Sequence, residues 1–187
     1  MSAAAELAAQ LAGTARPGDA TVIVAVEGRS GAGKTSFGAS LAEELGAAHV
    51  DMENLYPGWW GLGEGARLAA TELVAPIAAG ETAVVPQWDW IASRPAEPLV
   101  LDPPDFLVLS GTGSGSLAAA PHLALLAWME LGDEERRRRA LARDGEVLAG
   151  QWDDWAGQEL AYLESDKPRE RADVVVDTSG AAPVIAG

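Results

Sequence analysis

The residues best placed to do chemistry lie together. Gly28-Arg29-Ser30-Gly31-Ala32-Gly33-Lys34-Thr35 fits the pattern GxxxxGK[ST] at every position. The chemistry accounts for the spacing. Glycines let the backbone curl until successive N–H groups face phosphate oxygens. A helix opening at the loop adds the positive end of its dipole. Lys34 would reach the β- and γ-phosphates of a nucleoside triphosphate, and the Thr35 hydroxyl would ligate magnesium. The expected nucleotide contacts are Gly28, Arg29, Ser30, Gly31, Ala32, Gly33, Lys34, Thr35 and Ser36, and the expected ligands are ATP and Mg2+. A glycine-rich turn that merely contains a lysine would not need a strand before it and a helix after it, and both can be read here. The motif speaks to binding of a triphosphate and not to its use.

Other candidates each carry a plain alternative. Asp51 and Glu53 alternate along the end of a strand, so they face opposite ways unless the strand has ended; Glu53 is either a catalytic carboxylate or a solvated acid. Arg136, Arg139 and Arg143 fall on one helical face. They either balance Asp133, Glu134 and Glu135 through i,i+3 and i,i+4 pairs or present guanidinium groups to a phosphoryl group in transfer. Of the seven tryptophans, Trp59, Trp60, Trp88 and Trp90 stand in loop or strand-edge contexts where flat rings can line a pocket, while Trp128 reads as core. His49 and His122 read as structural. The run Gly111-Thr112-Gly113-Ser114-Gly115 resembles a dinucleotide loop only superficially and is expected to be a flexible connector.

These residues sit on a strand–helix alternation. A helix is expected at 3–12, a turn at Pro17-Gly18-Asp19, and a buried strand at 21–26. A helix at 34–45 and a strand at 48–52 follow, then a loop rich in Gly, Pro and Trp at 56–65. Further expectations are a helix at 66–79 despite Pro76, a strand at 83–90 that Pro86 makes an edge or a bend, and strands at 106–109 and 122–130. Charged helices at 133–143 and 151–164 and a strand at 173–176 complete the chain. The pattern implies an α/β fold, doubly wound, with a mainly parallel sheet of about five strands and helices on both faces. One domain is expected over 1–187, with an N-terminal helix and turn at 1–20 and a helical lid region at 133–164.

Composition narrows the function classes. A chain of 187 residues that is 48% hydrophobic can build a full core without staples. It has no cysteine, which rules out thiolate zinc sites and cysteine nucleophiles and fits a reducing compartment. The first eleven residues lack the features of a secretory signal, and no apolar run is long enough to span a bilayer. A cytoplasmic protein, monomer or homodimer, is the expectation. With 28 acidic against 13 basic residues the net charge is −15, a field that repels nucleic acids and anionic membranes. The chain has two lysines, Lys34 and Lys167, and one of them occupies the phosphate-loop position.

Beyond the phosphate loop the sequence resembles the uridine kinase-like branch of the P-loop small-molecule kinases, and especially its short bacterial nucleoside kinase-like members. The matching residues are 26–35, Leu55-Tyr56-Pro57-Gly58-Trp59 and Trp88-Asp89-Trp90. They continue through Arg136, Arg139, Arg143-Asp144-Gly145, Trp152, Trp155 and Arg171-Ala172-Asp173, so the likeness runs from about Val22 to Asp177. It implies an acceptor pocket at Tyr56, Trp59, Trp88, Asp89 and Trp90, a lid bearing Arg139 and Arg143, and transfer of the γ-phosphoryl group of ATP to a small-molecule hydroxyl. Two positions depart from the family. Its catalytic aspartate, three residues before the tyrosine, is Glu53 here, which moves the carboxylate by about one methylene. Its glutamate before a glycine, near the magnesium, is Ser110 here, leaving Thr35 and Asp51 as the metal candidates. Lys34, Glu53, Arg139 and Arg143 are thus the expected catalytic set. The competing expectation is a nucleotide-binding regulatory or degenerate protein, and a mechanical or signalling NTPase is weaker, because no clear Walker-B acid or guanine-specificity motif can be read.

Overall fold

The computed structural model describes residues 2–13 and 20–186; the expected turn at Pro17-Gly18-Asp19 lies outside them. The apolar run after Thr21 becomes β1 (Val22–Gly28), buried at every position. Because side chains alternate along a strand, Val22, Val24 and Val26 enter one core while Ile23 enters another. A strand buried on both faces must lie inside a layered α/β sheet. Before it comes α1 (Ala3–Ala12), and after it α2 (Lys34–Leu45), β2 (Ala48–Asp51), and a 3₁₀ turn, Met52–Asn54.

The central sheet runs β2-β5-β1-β6-β7-β8, with β5 (Phe106–Ser110), β6 (Leu125–Glu130), β7 (Val174–Asp177) and β8 (Val184–Ile185). Every pairing in it is parallel except β7 with β8. β1 is flanked on both sides, Val26 opposite Ser110 on β5 and opposite Ala127 on β6. One face packs on α1 and α2 through Leu7, Leu11, Phe37 and Leu41. The other packs on Leu62, Leu73 and Ile77 and on Trp155 and Tyr162. Five parallel strands between two helical layers match the doubly wound expectation, and the short antiparallel β8 extends it.

Three local outcomes differ from the expected elements. The helix at 66–79 begins four residues earlier, as α3 (Leu62–Leu68), a π segment (Ala69–Val74) and α4 (Ala75–Ala78) in sequence. The wide turn reconciles the helix with Pro76, which has no N–H and would collide with the carbonyl one turn back. The strand at 83–90 is present as β3 (Ala83–Asp89), but it leaves the central sheet and pairs antiparallel with β4 (Arg94–Leu101). Pro95 and Pro98 hide β4 from sequence reading. In an exposed two-stranded ribbon, with a register shift between Val85 and Gln87 around Pro86, prolines cost little because no third strand needs their missing donors. The segment 111–116 is not a flexible connector, since all six residues are buried. The last helices are α5 (Asp133–Ala149), broken at Gly145, then α6 (Trp152–Asp166) and α7 (Pro168–Arg171). Among the described residues no helix is long and apolar enough to cross a membrane.

Candidate functional site

The loop after β1 takes the shape that its glycines allow. Gly31 has φ 82° and Gly33 φ 90°, a region costly for any residue with a Cβ. At Gly31 the space is also missing, because a Cβ there would lie 2.0 Å from the Arg136 carbonyl oxygen. Gly33 is the N-cap of α2 and offers no side chain to it. The first-turn N–H groups of α2 therefore lack both an intrahelical acceptor and a side-chain cap, which leaves them for an anion. Lys34 curls back, its Nζ donating to the Arg29 carbonyl at 2.8 Å. Burial pulls its ammonium below the usual lysine range, and the carboxylates of Glu159, Glu27, Glu53 and Asp51 work against that shift. These features suit the triphosphate of a nucleotide.

The loop is held from beneath by two buried acids. Glu27, fully buried, accepts from the N–H groups of Gly28, Gly113 and Gly115, each at 2.9 Å, and from Tyr162 Oη at 2.8 Å. This is what orders the segment expected to be a loose connector: the glycines let its amides converge on one carboxylate. Burial pushes the Glu27 carboxyl up to about 7, against the pull of those hydrogen bonds. Glu159, also fully buried, accepts the Ser30 N–H at 2.7 Å and pairs with Arg29 at 3.3 Å and Arg136 at 3.8 Å. Asp133 closes the set, 2.9 Å from Arg29 and 2.8 Å from Arg136. The Arg136 hydrogen bond holds its carboxyl below the ordinary aspartate range.

Above the loop lies one cavity of roughly 920 Å3. Ser30, Gly31, Gly33, Lys34, Thr35 and Ser36 line its floor. Gly28, Arg29 and Ala32 are not among its lining residues and belong to the loop's supporting side. Asp51 and Glu53 both line it, although strand alternation would send them apart. The strand ends at Asp51, whose Oδ1 accepts the Glu53 N–H at 2.9 Å, and the 3₁₀ turn that follows brings both to the same side.

The aromatic candidates converge there. Tyr56 and Trp155 meet edge to face at 4.9 Å between centroids, as do Trp59 and Trp90 at 4.9 Å, and Trp59 reaches Trp155 at 6.4 Å. Trp155 Nε1 donates to Ser30 Oγ at 3.0 Å, which ties the ring cluster to the phosphate loop. Trp90 Nε1 donates to the Glu53 carbonyl at 2.8 Å. Trp88 lines the cavity too, but its neighbour Asp89 does not. The Asp89 Oδ1 accepts from Ile91 N at 2.9 Å and Ala92 N at 3.0 Å and so closes the β3–β4 turn. Trp60 is 70% exposed, outside the cavity.

The three arginines of one helical face part company. Arg136 is buried beneath Trp152 and against the phosphate loop. Arg139 and Arg143 line the cavity, the first held by Glu135 at 2.8 Å, the second 3.3 Å from the Glu53 carboxylate.

Among the cavity-lining oxygens that could meet a divalent cation are the Thr35 hydroxyl and the Asp51 carboxylate. Among the described residues no three His, Cys, Asp or Glu side chains gather as a metal cluster. Two protein ligands suit magnesium, which keeps several waters and binds mainly through substrate phosphates. Ser110 is no donor to it: fully buried opposite Asp51, it shares a 2.9 Å hydrogen bond with His49 Nε2 and packs against Gly38 of α2.

Trp155, Glu159 and Tyr162 were absent from the expected site, yet their signal is present in the sequence. They recur at i, i+4 and i+7, one face of α6, and an acid between two large aromatics on a buried face needs partners. Glu27 carried the same sign, an acid ending an apolar strand.

No protein-family model and no curated protein matches the sequence. In shape the chain is similar to a possible uridine kinase of Bacillus stearothermophilus, at TM-score 0.63 and 16% identity over 91% of this chain and 97% of that one. It is also similar to a candidate fructose transport system kinase of Silicibacter sp. TM1040, at TM-score 0.58 and 16% identity over 92% and 96% of the two chains. The fold is that of the P-loop kinases.

Proposed function

We propose that this protein is an ATP-dependent small-molecule kinase, which moves the γ-phosphoryl group of ATP to a hydroxyl of a compact, nucleoside-like acceptor. The observation that carries the reading is continuity: one cavity joins the phosphate loop to Glu53 and to the Tyr56, Trp59, Trp88 and Trp90 wall. Lys34 and the open amides of α2 hold the β- and γ-phosphates. The acceptor lies among the rings, and Glu53 takes the proton from its hydroxyl. The acceptor oxygen then bonds to the γ-phosphorus, the bridging bond breaks, and ADP leaves with that electron pair. Arg139 and Arg143, on a lid formed by 133–164, neutralise charge on the transferring oxygens. Thr35 and Asp51 would hold magnesium, which when bound neutralises phosphate charge. A fold shared with proteins described as kinases agrees with this reading, and the absence of cysteine suits a cytoplasmic setting.

A second reading, a nucleotide-binding regulator without transfer, is favoured by the Ser110–His49 pair, which fills the strand end where the resembling family carries an acid. The test is to incubate the protein with ATP and magnesium, with and without a panel of nucleosides and other small alcohols. Acceptor-dependent ADP is expected. Tight ATP binding with no such ADP across the panel would select the second reading. Lys34→Ala should remove ATP binding while leaving the fold intact, and unchanged affinity in a folded variant would sink both.

A further inference from the structure

Under the kinase reading the Glu53 carboxylate must meet a hydroxyl that lies in line with the γ-phosphorus. The backbone of Glu53 is clamped at both ends. Its N–H donates to Asp51 Oδ1 at 2.9 Å, and its carbonyl accepts Trp90 Nε1 at 2.8 Å. Trp90 follows β3 of the two-stranded ribbon, and its ring is steadied by Trp59, edge to face at 4.9 Å. Trp59 in turn meets Trp155 at 6.4 Å and 85°, within the range over which edge-to-face rings attract. Trp155 Nε1 ends the series on Ser30 Oγ at 3.0 Å. An unbroken line of contacts thus runs from the phosphate loop to the candidate base.

Helix α6 makes the series one unit. Gln158 Nε2 donates to the Trp59 carbonyl at 2.8 Å and Gln158 Oε1 accepts the Leu62 N–H at 3.3 Å, which fastens the loop bearing Trp59 to the helix that carries Trp155. The same helix holds Ser30 twice, its Oγ through Trp155 and its N–H through Glu159 at 2.7 Å. Rings that only filled a core would spend their N–H groups on whichever acceptor lay near. Here the N–H groups at the two ends fall on a phosphate-loop side chain and on the backbone of the candidate base, and all three rings line the cavity. A phosphate that accepts the Ser30 O–H makes its Oγ a better acceptor for Trp155, since linked hydrogen bonds strengthen one another. Close-packed side chains then pass a displacement on instead of absorbing it. We propose that Trp155, Trp59 and Trp90 are positioning residues, a relay through which occupation of the phosphate loop fixes the place of Glu53. The relay rests on the kinase reading for what Glu53 then does.

The test is fluorine NMR of the intact protein carrying fluorotryptophan at its seven tryptophans. The resonances are assigned by replacing each tryptophan in turn with phenylalanine, and are followed as magnesium tripolyphosphate is added. That probe fills the loop without a base or an acceptor. The Trp155, Trp59 and Trp90 resonances should move together to saturation, while that of Trp60, exposed outside the cavity, stays still. In Trp59→Leu the Trp90 response should vanish and the Trp155 response remain. Ser30→Ala, which removes one oxygen and no bulk, should silence Trp59 and Trp90 at saturating probe. A Trp90 resonance that stays still in wild type, or moves as before in either variant, would overturn the relay. On an acceptor found in the panel, Trp90→Phe keeps a ring but loses the N–H, so kcat should fall about tenfold or more with the ATP KM within about twofold. Added to Glu53→Gln it should cost nothing further, and an equal loss in that background would overturn its link to Glu53. If calorimetry finds neither tripolyphosphate nor ATP bound to wild type, the phosphate reading falls and the relay with it. Resonances that move as expected without acceptor-dependent ADP would keep the relay and remove the kinase reading alone.

Discussion

Glu53 is held in place from two directions, by Trp90 on its carbonyl and Arg143 on its carboxylate. Under the kinase reading it is the base, so Glu53→Gln should lower kcat by about 100-fold or more while the ATP dissociation constant stays within about twofold. Steady-state kinetics beside calorimetry checks this, and full transfer by the variant would remove Glu53 from that role. Ser110 makes a contrasting case. A Cβ on Gly38 would already lie 2.7 Å from its Cβ, and His49 holds its hydroxyl. Ser110→Glu should therefore destabilise the fold by roughly 2–4 kcal/mol through overpacking and a poorly solvated charge, read as a lower denaturation midpoint. Wild-type stability with raised turnover would show instead that the strand end has room for the acid.

Glu27 sets a pH dependence of its own. Its carboxyl rises from 4.5 in the unfolded chain to about 7 in the fold. Between those values the folded state holds the proton more tightly than the unfolded state, so stability falls as pH rises through this window and levels off above it. The term is on the order of 3 kcal/mol. Glu27→Gln should flatten that fall in melting temperature between the two pH values, at the cost of an acceptor oxygen and some stability overall. An unchanged slope would contradict the assignment.

At the scale of elements, the first turn of α5 lies directly on the phosphate loop. Gly31→Ala must push Arg136 aside or abandon its left-handed backbone, which should cost about 2 kcal/mol or more and weaken ATP binding in the same variant. A melt matching wild type would mean that the loop and α5 are not locked together. Of the charges joining them, Asp133 and Arg136 were legible only within a helix-surface run, and Arg29 only as a member of the phosphate-loop motif. Spacing could group Arg136 with Arg139 and Arg143, but burial separates them, because only Arg136 sits under the loop. In α6 the reverse holds: the face of Trp155, Glu159 and Tyr162 was written in the spacing.

For the whole molecule, the net charge of −15 opposes an anionic ligand at long range, while Lys34 and the loop amides attract it at contact. Screening shortens the long-range field from about 30 Å at 0.01 M salt to about 8 Å at 0.15 M. The association rate of ATP with magnesium should therefore rise a few-fold over that range, followed by stopped-flow tryptophan fluorescence through Trp155 beside Ser30. A rate that falls with salt would mean that the local positive field governs the approach.

The sequence alone determined what depends on neighbours in the chain. GxxxxGK[ST] after a β-branched run specifies a strand, a turn that needs glycine, and a helix start, since backbone conformation and dipole are local properties. The alternation of strands and helices likewise implied a parallel sheet with helices on both faces. Tertiary structure decided what depends on distant partners. Pairing with β4 took β3 out of the central sheet, and the end of β2 at Asp51 turned Glu53 onto the same side. Convergence of three amides and a phenol made Glu27 a buried anchor and the glycine segment its rigid counterpart. Burial and hydrogen bonding across 86 residues, as between Glu27 and Gly113, leave no periodicity to read, because the chain between them is free to vary.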